Sequence, residues 1–272
     1  AALGSEEFKN EYLSMKVDGW IQEVKVLSEI AKTQPQSAYS CFITCFRHKI
    51  TYCMRTITGA EHQLQRLDQV IQTDFIPAIT DGVICNEAER KLLSLPPKLG
   101  GLGIPIFSEM SQIEYANSVK LTEKLCSKIV RQCRQYEVDG ELQALKHKIH
   151  TERSKKHEEL KQNLRMNMNE ASFRRNDLNI EAGASSWLTT LPLKNEGYCL
   201  NKQLFWDLIR LRYGWQLTRT PENCECGARF NLQHALSCKK GGFISIRHNN
   251  TRDITANLLK EVCKDVRLEP QL

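Results

Sequence analysis

SEEFKNEYLSMKVDGWIQEVKVLSEIAK, residues 5–32, decides the fold class. Phe8, Tyr12, Met15, Trp20, Val24, Leu27 and Ala31 recur at steps of three to five, the period of one face of an α-helix. Ser5 is a suitable N-cap, and Glu6 and Glu7 complement the positive helix end. The same pattern continues downstream. Residues 35–57 read as a second helix opened by Pro35, and residues 60–79 as a third with Leu64, Leu67, Val70, Ile71 and Phe75 on one stripe. A short helix over 86–95 closes on Pro96-Pro97, and another is expected over 108–136. The expectation is a mainly α protein whose first 136 residues form a helical bundle.

Composition agrees. The chain has 272 residues with only 14 Gly and 8 Pro, too few breakers for many short strands and turns. Mean hydropathy is −0.45, and no apolar run approaches the ~18 residues of a membrane span, so no membrane association is expected. AALGSEEF at the start shows no signal peptide and reads as the edge of a fragment. Eleven cysteines, an odd number, fit reduced intracellular thiols better than a secreted disulfide framework. Cys41, Cys45, Cys53, Cys85, Cys126, Cys133 and Cys263 fall in helical stretches, where a thiol behaves as a small buried hydrophobe.

Two segments interrupt the helices. LPPKLGGLGIP, residues 95–105, is Gly- and Pro-rich, yet no strand precedes it and no Lys-Ser/Thr follows, so it reads as a structural turn rather than a phosphate loop. Residues 137–183 form a charged stretch with Lys146, Lys148, Arg153, Lys155, Lys156, Lys161 and Arg165 among glutamates; a solvated helical linker is expected there. From 184 onward the composition changes, and a small separate unit over 184–272 is expected. Trp187, Trp206 and Trp215 read as core. Residues 201–213 read as a helix with Leu204, Leu208 and Leu211 inward and Arg210 and Arg212 exposed. The net charge of +6 sits unevenly: residues 1–186 hold 25 basic and 24 acidic side chains, residues 187–272 hold 13 and 8. A basic end on a near-neutral body points to a polyanion partner.

CECGARFNLQHALSC, residues 224–238, carries the chemistry. Cys224 and Cys226 lie on a tight turn beside Gly227, and His234 and Cys238 lie four apart, one helical turn, facing the same way. Three thiolates and an imidazole are the donors of a closed tetrahedral zinc site, structural rather than catalytic because no coordination position is left open. Phe230 and Leu232 are expected to back it. Beyond it, Lys239, Lys240, Arg247, His248 and Arg252 are expected to cluster around a new helix capped by Asn249 or Asn250, with Ile254, Leu258 and Val262 inward. Such a helix start flanked by cations suits phosphate.

Taken together, GASSWLTTLPL (183–193), LRYGW (211–215), the Cys-Cys-His-Cys cluster and GGFISIRHNNTRDIT (241–255) resemble the C-terminal region of non-LTR retrotransposon polyproteins with a restriction-enzyme-like endonuclease. AALG (1–4) is similar to the end of the polymerase palm, and LPPKLGGLGIP to a turn after the thumb. The resemblance implies a thumb-like bundle over 1–136, a helical linker over 137–183 and a zinc-knuckle unit over 184–272. It implies that Cys224, Cys226, His234 and Cys238 hold a structural zinc. Arg247, His248 and Asn249 match the segment beside the nuclease, and with Arg210, Arg212, Lys239, Lys240 and Arg252 they are the expected nucleic-acid contacts.

The implied function is non-catalytic gripping of element RNA and target DNA during target-primed reverse transcription. The palm and endonuclease would be partners in cis, in the nucleus. Catalytic motifs are absent: there is no Asp-Asp for polymerase metals and no nuclease core before LEPQL. The alternatives are a helical scaffold whose metal only holds the fold, and a zinc hydrolase.

Overall fold

The computed structural model describes residues 4–133, 140–240 and 242–268, and these are mainly α-helical. The helices are α1 (Glu6–Ala31), α2 (Pro35–Cys41), α3 (Arg47–Thr56), α4 (Glu61–Val70), α5 (Ile76–Ile79), α6 (Glu87–Ser94), α7 (Phe107–Val130), α8 (Gly140–Met166), α9 (Glu170–Ile180), α10 (Ser186–Thr189), α11 (Lys202–Tyr213), α12 (Leu232–Ser237) and α13 (Phe243–Val262). Among the described residues the only strand-like pairing is one antiparallel bridge, Asn223 with Arg229. The chain divides into two compact units, Ala1–Gln216 and Leu217–Leu272.

In the first unit α1 is capped as its sequence predicts, with Ser5 Oγ accepting from the Phe8 amide. Its buried face runs Leu13, Val17, Trp20, Val24, Ser28 and Ala31. Phe8 and Met15 are exposed instead of inward, because steps of four and three from Leu13 track the 3.6-residue period more closely than the expected stripe. The expected second and third helices are each interrupted by a π-helical turn, Phe42–Phe46 between α2 and α3 and Ile71–Phe75 between α4 and α5. The extra residue per turn re-aims the side chains. Phe42 and Phe75 then meet ring to ring, centroids 4.7 Å apart, at the centre of the core.

The Gly-Pro turn is structural. A Cβ at Gly101 would come within 1.9 Å of the Leu95 carbonyl oxygen, so only glycine fits. The turn's backbone is consumed internally: the Gly103 amide donates to Leu95, the Leu102 and Ile104 amides to Leu93, and Arg90 clamps the Ile104 and Pro105 carbonyls. Tyr39 donates its hydroxyl to the Leu102 carbonyl, and burial raises its pKa and keeps it a neutral donor. Asp68 closes the start of α7 from a neighbouring helix by accepting from the Phe107 and Ser108 amides. α7 ends at Val130; the 134–136 end of the expected helix lies outside the described residues.

The expected boundaries at 137 and 184 are corrected. α8, α9 and residues 184–216 belong to the first unit. Glu114 on α7, buried, pairs with Arg55 and with Arg153 of α8. Gln36 donates to the Tyr198 carbonyl and accepts from the Leu200 amide. The Trp206 indole donates to Ala78, and Trp215 to the Glu89 carboxylate. Leu188, Phe205, Trp206 and Ile209 are core, with Trp187 and Trp215 packed against it. A composition shift at 184 therefore marks no domain edge.

α11 turns a different face from the one expected. Leu204 is exposed, while Phe205, Trp206, Ile209, Arg210 and Arg212 are buried. Arg210 is 7% exposed and spends all three of its guanidinium nitrogens on the Thr80, Asp81 and Gln216 carbonyls. Buried carbonyls at a turn need donors, and guanidinium supplies several at once.

Candidate metal centre

The second unit begins with a knuckle. The Cys224 amide donates to the Ala228 carbonyl, the Gly227 amide to Cys224, and the Phe230 amide to Glu222, which bends the chain back on itself. Gly227 takes φ 86°, a left-handed value that suits glycine. Asn231 then caps α12 by accepting from the His234 amide at 2.8 Å. The cap fixes where the short helix starts, and so places His234 and Cys238 one turn apart on the side facing the knuckle.

The four candidate ligands converge. One donor atom from each of Cys224, Cys226, His234 and Cys238 lies within 4.8 Å of every other, so the group could hold a metal ion. Cys224 Sγ and Cys238 Sγ are 3.7 Å apart, and Cys226 Sγ is 3.1 Å from His234 Nε2. Cys224 and Cys238 are buried; Cys226 and His234 are half-buried. The Cys226 amide donates to the Cys224 sulfur and favours its thiolate. Burial and the neighbouring Cys238 and Cys226 sulfurs outweigh that bond, so the Cys224 thiol lies above its ordinary pKa among the four donors alone. A divalent ion between them would reverse the balance, because coordination requires the thiolate. Ala235 is the buried residue of α12, whereas Leu232 is exposed and Phe230 half-buried, contrary to expectation.

Placement of the expected phosphate contacts is mixed. Lys239, Lys240, Arg247, His248 and Asn249 are exposed; Arg252 is half-buried and paired with Asp253 at 2.9 Å. Arg210 and Arg212 are buried in the first unit and are corrected as surface contacts. The helix start is corrected too. α13 begins at Phe243 with Gly242 as N-cap, so Asn249 and Asn250 stand in mid-helix and cap nothing. Consecutive residues of a helix diverge by about 100°, so Arg247, His248 and Asn249 do not present one face. Ile254, Leu258 and Val262 point outward, and Ala256 is the buried residue of α13.

Of the other cysteines, Cys53 and Cys85 are buried, whereas Cys41, Cys45, Cys126, Cys133, Cys199 and Cys263 are exposed. All eleven are free thiols. No helix among the described residues is long and apolar enough to cross a membrane. No family model matches the chain, and neither the curated proteins nor the solved structures yield a match. Sequence reasoning did not single out Arg175 and Asn176, which wall a cavity of the first unit. They sit in a charged helix, and nothing in their spacing distinguishes them from solvated residues.

Proposed function

We propose that this chain is a non-catalytic nucleic-acid-binding portion of a retroelement polyprotein, with a structural zinc holding its C-terminal unit. The convergence of Cys224, Cys226, His234 and Cys238 carries the reading. A tetrahedral ion with Zn–S bonds of about 2.3 Å sets its sulfurs about 3.8 Å apart. The 3.7 Å between Cys224 and Cys238 fits that edge. Three thiolates and one imidazole leave no position for water, so the ion would supply cross-linking rather than Lewis-acid chemistry. The unit carries nine Lys/Arg against six Asp/Glu. Lys239 and Lys240 directly follow the last ligand, where the cross-link would hold them in register.

Affinity then comes from Lys/Arg–phosphate pairing and falls with salt. The test is fluorescence anisotropy with the full chain on single-stranded RNA and duplex DNA between about 50 and 200 mM salt. Binding is expected for both. Replacing Lys239, Lys240 and Arg247 by Ala should flatten the slope of log K against log salt for duplex DNA by ~0.9 for each phosphate that is no longer neutralised. Absence of binding to either nucleic acid, or a salt-independent Kd, overturns the reading. The scaffold reading draws on one observation: Arg210 is spent on internal carbonyls. It predicts no binding in parent and variant alike.

A further inference from the structure

A cavity of about 240 Å³ opens within the first unit, between the N-terminal ends of α6 and α9 and the C-terminal end of α11. Its wall includes Arg175, Asn176, Arg212, Tyr213 and Glu89. Arg212 is 6% exposed and has no carboxylate within ion-pair distance among the described residues. Its Nη2 donates to the Pro97 and Gly101 carbonyls, and its Nε has no partner. Asn176 is 4% exposed, and neither its Oδ1 nor its Nδ2 has a partner.

Elsewhere in the unit Gln203 Oε1 is the other buried side-chain polar atom without a partner among the described residues, and the buried charges are compensated. Glu114 has two arginines, Arg210 has a carbonyl on every nitrogen, and Asp68 holds two amides. A buried guanidinium without a counter-charge, beside a buried amide without a partner, is strongly unfavourable unless something else fills the space.

The surroundings specify the charge of that occupant. Arg175 brings a second guanidinium, which donates to the Tyr213 carbonyl and crosses Gly214 so closely that a Cβ there would lie 2.0 Å from its Nη1. Asn86 and Asn169, the N-caps of α6 and α9, both line the cavity, so the N-terminal ends of two helices border it. The opposing carboxylate, Glu89, is engaged by the Asn86 amide and the Trp215 indole. Tyr213 is a neutral donor, its pKa pushed up to about 12 by burial, and donates its hydroxyl hydrogen bond to the Gly100 carbonyl.

We propose that this cavity binds a phosphate group, held by the guanidinium groups of Arg175 and Arg212 and the amide of Asn176. Guanidinium donors match phosphate oxygens, and helix N-termini add to the attraction. The volume is below the roughly 300–1,000 Å³ of pockets for drug-sized ligands, which suits a single phosphate or one nucleotide. The cavity is lined wholly by residues of the first unit and by none of the candidate metal ligands.

The test titrates the full chain with inorganic phosphate by calorimetry, against chloride at equal ionic strength. Saturable binding is expected, weakened at least roughly tenfold in Arg175→Gln. Asn176→Asp keeps the side-chain shape and puts a negative charge in the cavity wall, where it would repel the anion and supply the charge that the two guanidinium groups lack. It should abolish phosphate binding and raise the melting temperature in phosphate-free buffer, a gain that a merely damaged fold does not show. Competition then separates the sources. A single-stranded oligonucleotide that displaces inorganic phosphate identifies a nucleic-acid phosphodiester, and displacement by a nucleoside monophosphate alone identifies a free ligand. No phosphate binding in the parent chain, or binding unaltered in both variants, overturns the proposal.

Discussion

The two units solve the same problem differently. In Ala1–Gln216 one apolar cluster runs from Leu13 on α1 to Ile209 on α11, with Phe42, Phe75 and Phe107 fully enclosed. Among the described residues of Leu217–Leu272 the buried apolar side chains are Cys224, Ala235, Cys238 and Ala256, and two of these are candidate ligands. A unit of such length buries too little surface to fold securely by hydrophobic contact alone. Its longest helix leaves Ile254, Leu258 and Val262 in solvent. Burial accounts for the first unit, whereas the second has four soft donors where a core would be.

The sharpest way to break this contrast is chelation. With zinc in the second unit, removal by a strong chelator should unfold that unit and leave the first intact, since structural zinc sites contribute on the order of 10–16 kcal/mol. Far-UV circular dichroism and limited proteolysis should show cleavage confined to residues after 216. A chelated protein whose second unit stays as protected as before would sink the distinction. Next in size is Phe42→Ala. It deletes a ring stacked on Phe75, so the first unit should lose about 3–5 kcal/mol, read from its denaturant midpoint. The metal content per chain should not change.

A smaller effect is expected from Asn86→Ala. Asn86 and Glu89 form a reciprocal capping box at the start of α6, so its removal should lower the first unit's stability by about 1 kcal/mol, measured the same way. The smallest concerns pH. Burial first, then Arg153 and Lys98, lower the pKa of His157 in the folded chain. A histidine with a depressed folded pKa contributes stability above its unfolded value of about 6.5 and loses it as pH falls below that. The first unit should therefore weaken on mild acidification, and His157→Gln should reduce that slope. An unchanged slope in the variant would remove His157 from the explanation.

The candidate ligands were legible because metal chemistry imposes residue type and spacing locally: His234 and Cys238 are one turn apart, and Cys224 and Cys226 share one bend. The helices were legible for the same reason, as with Ser5 capping α1 and the helix over 86–95 closing before Pro96. Two kinds of feature were not. The π-helical turns at Phe42–Phe46 and Ile71–Phe75 are set by packing between the segments, which periodicity in either one does not encode. The fate of Arg210 and Arg212 was hidden because an arginine reads as surface unless its distant carbonyl partners, at Thr80 and Pro97, are known.

What the chain's own pattern determined is the helical class, the Ser5 cap of α1 and the set of donors at 224–238, all products of interactions spanning a few residues. Tertiary structure alone decided where the units divide, since the bonds tying Tyr198, Trp206 and Trp215 to the bundle join residues more than a hundred positions apart. It also decided which arginines are buried. Both depend on groups that meet only after folding, and no local period or composition records such meetings.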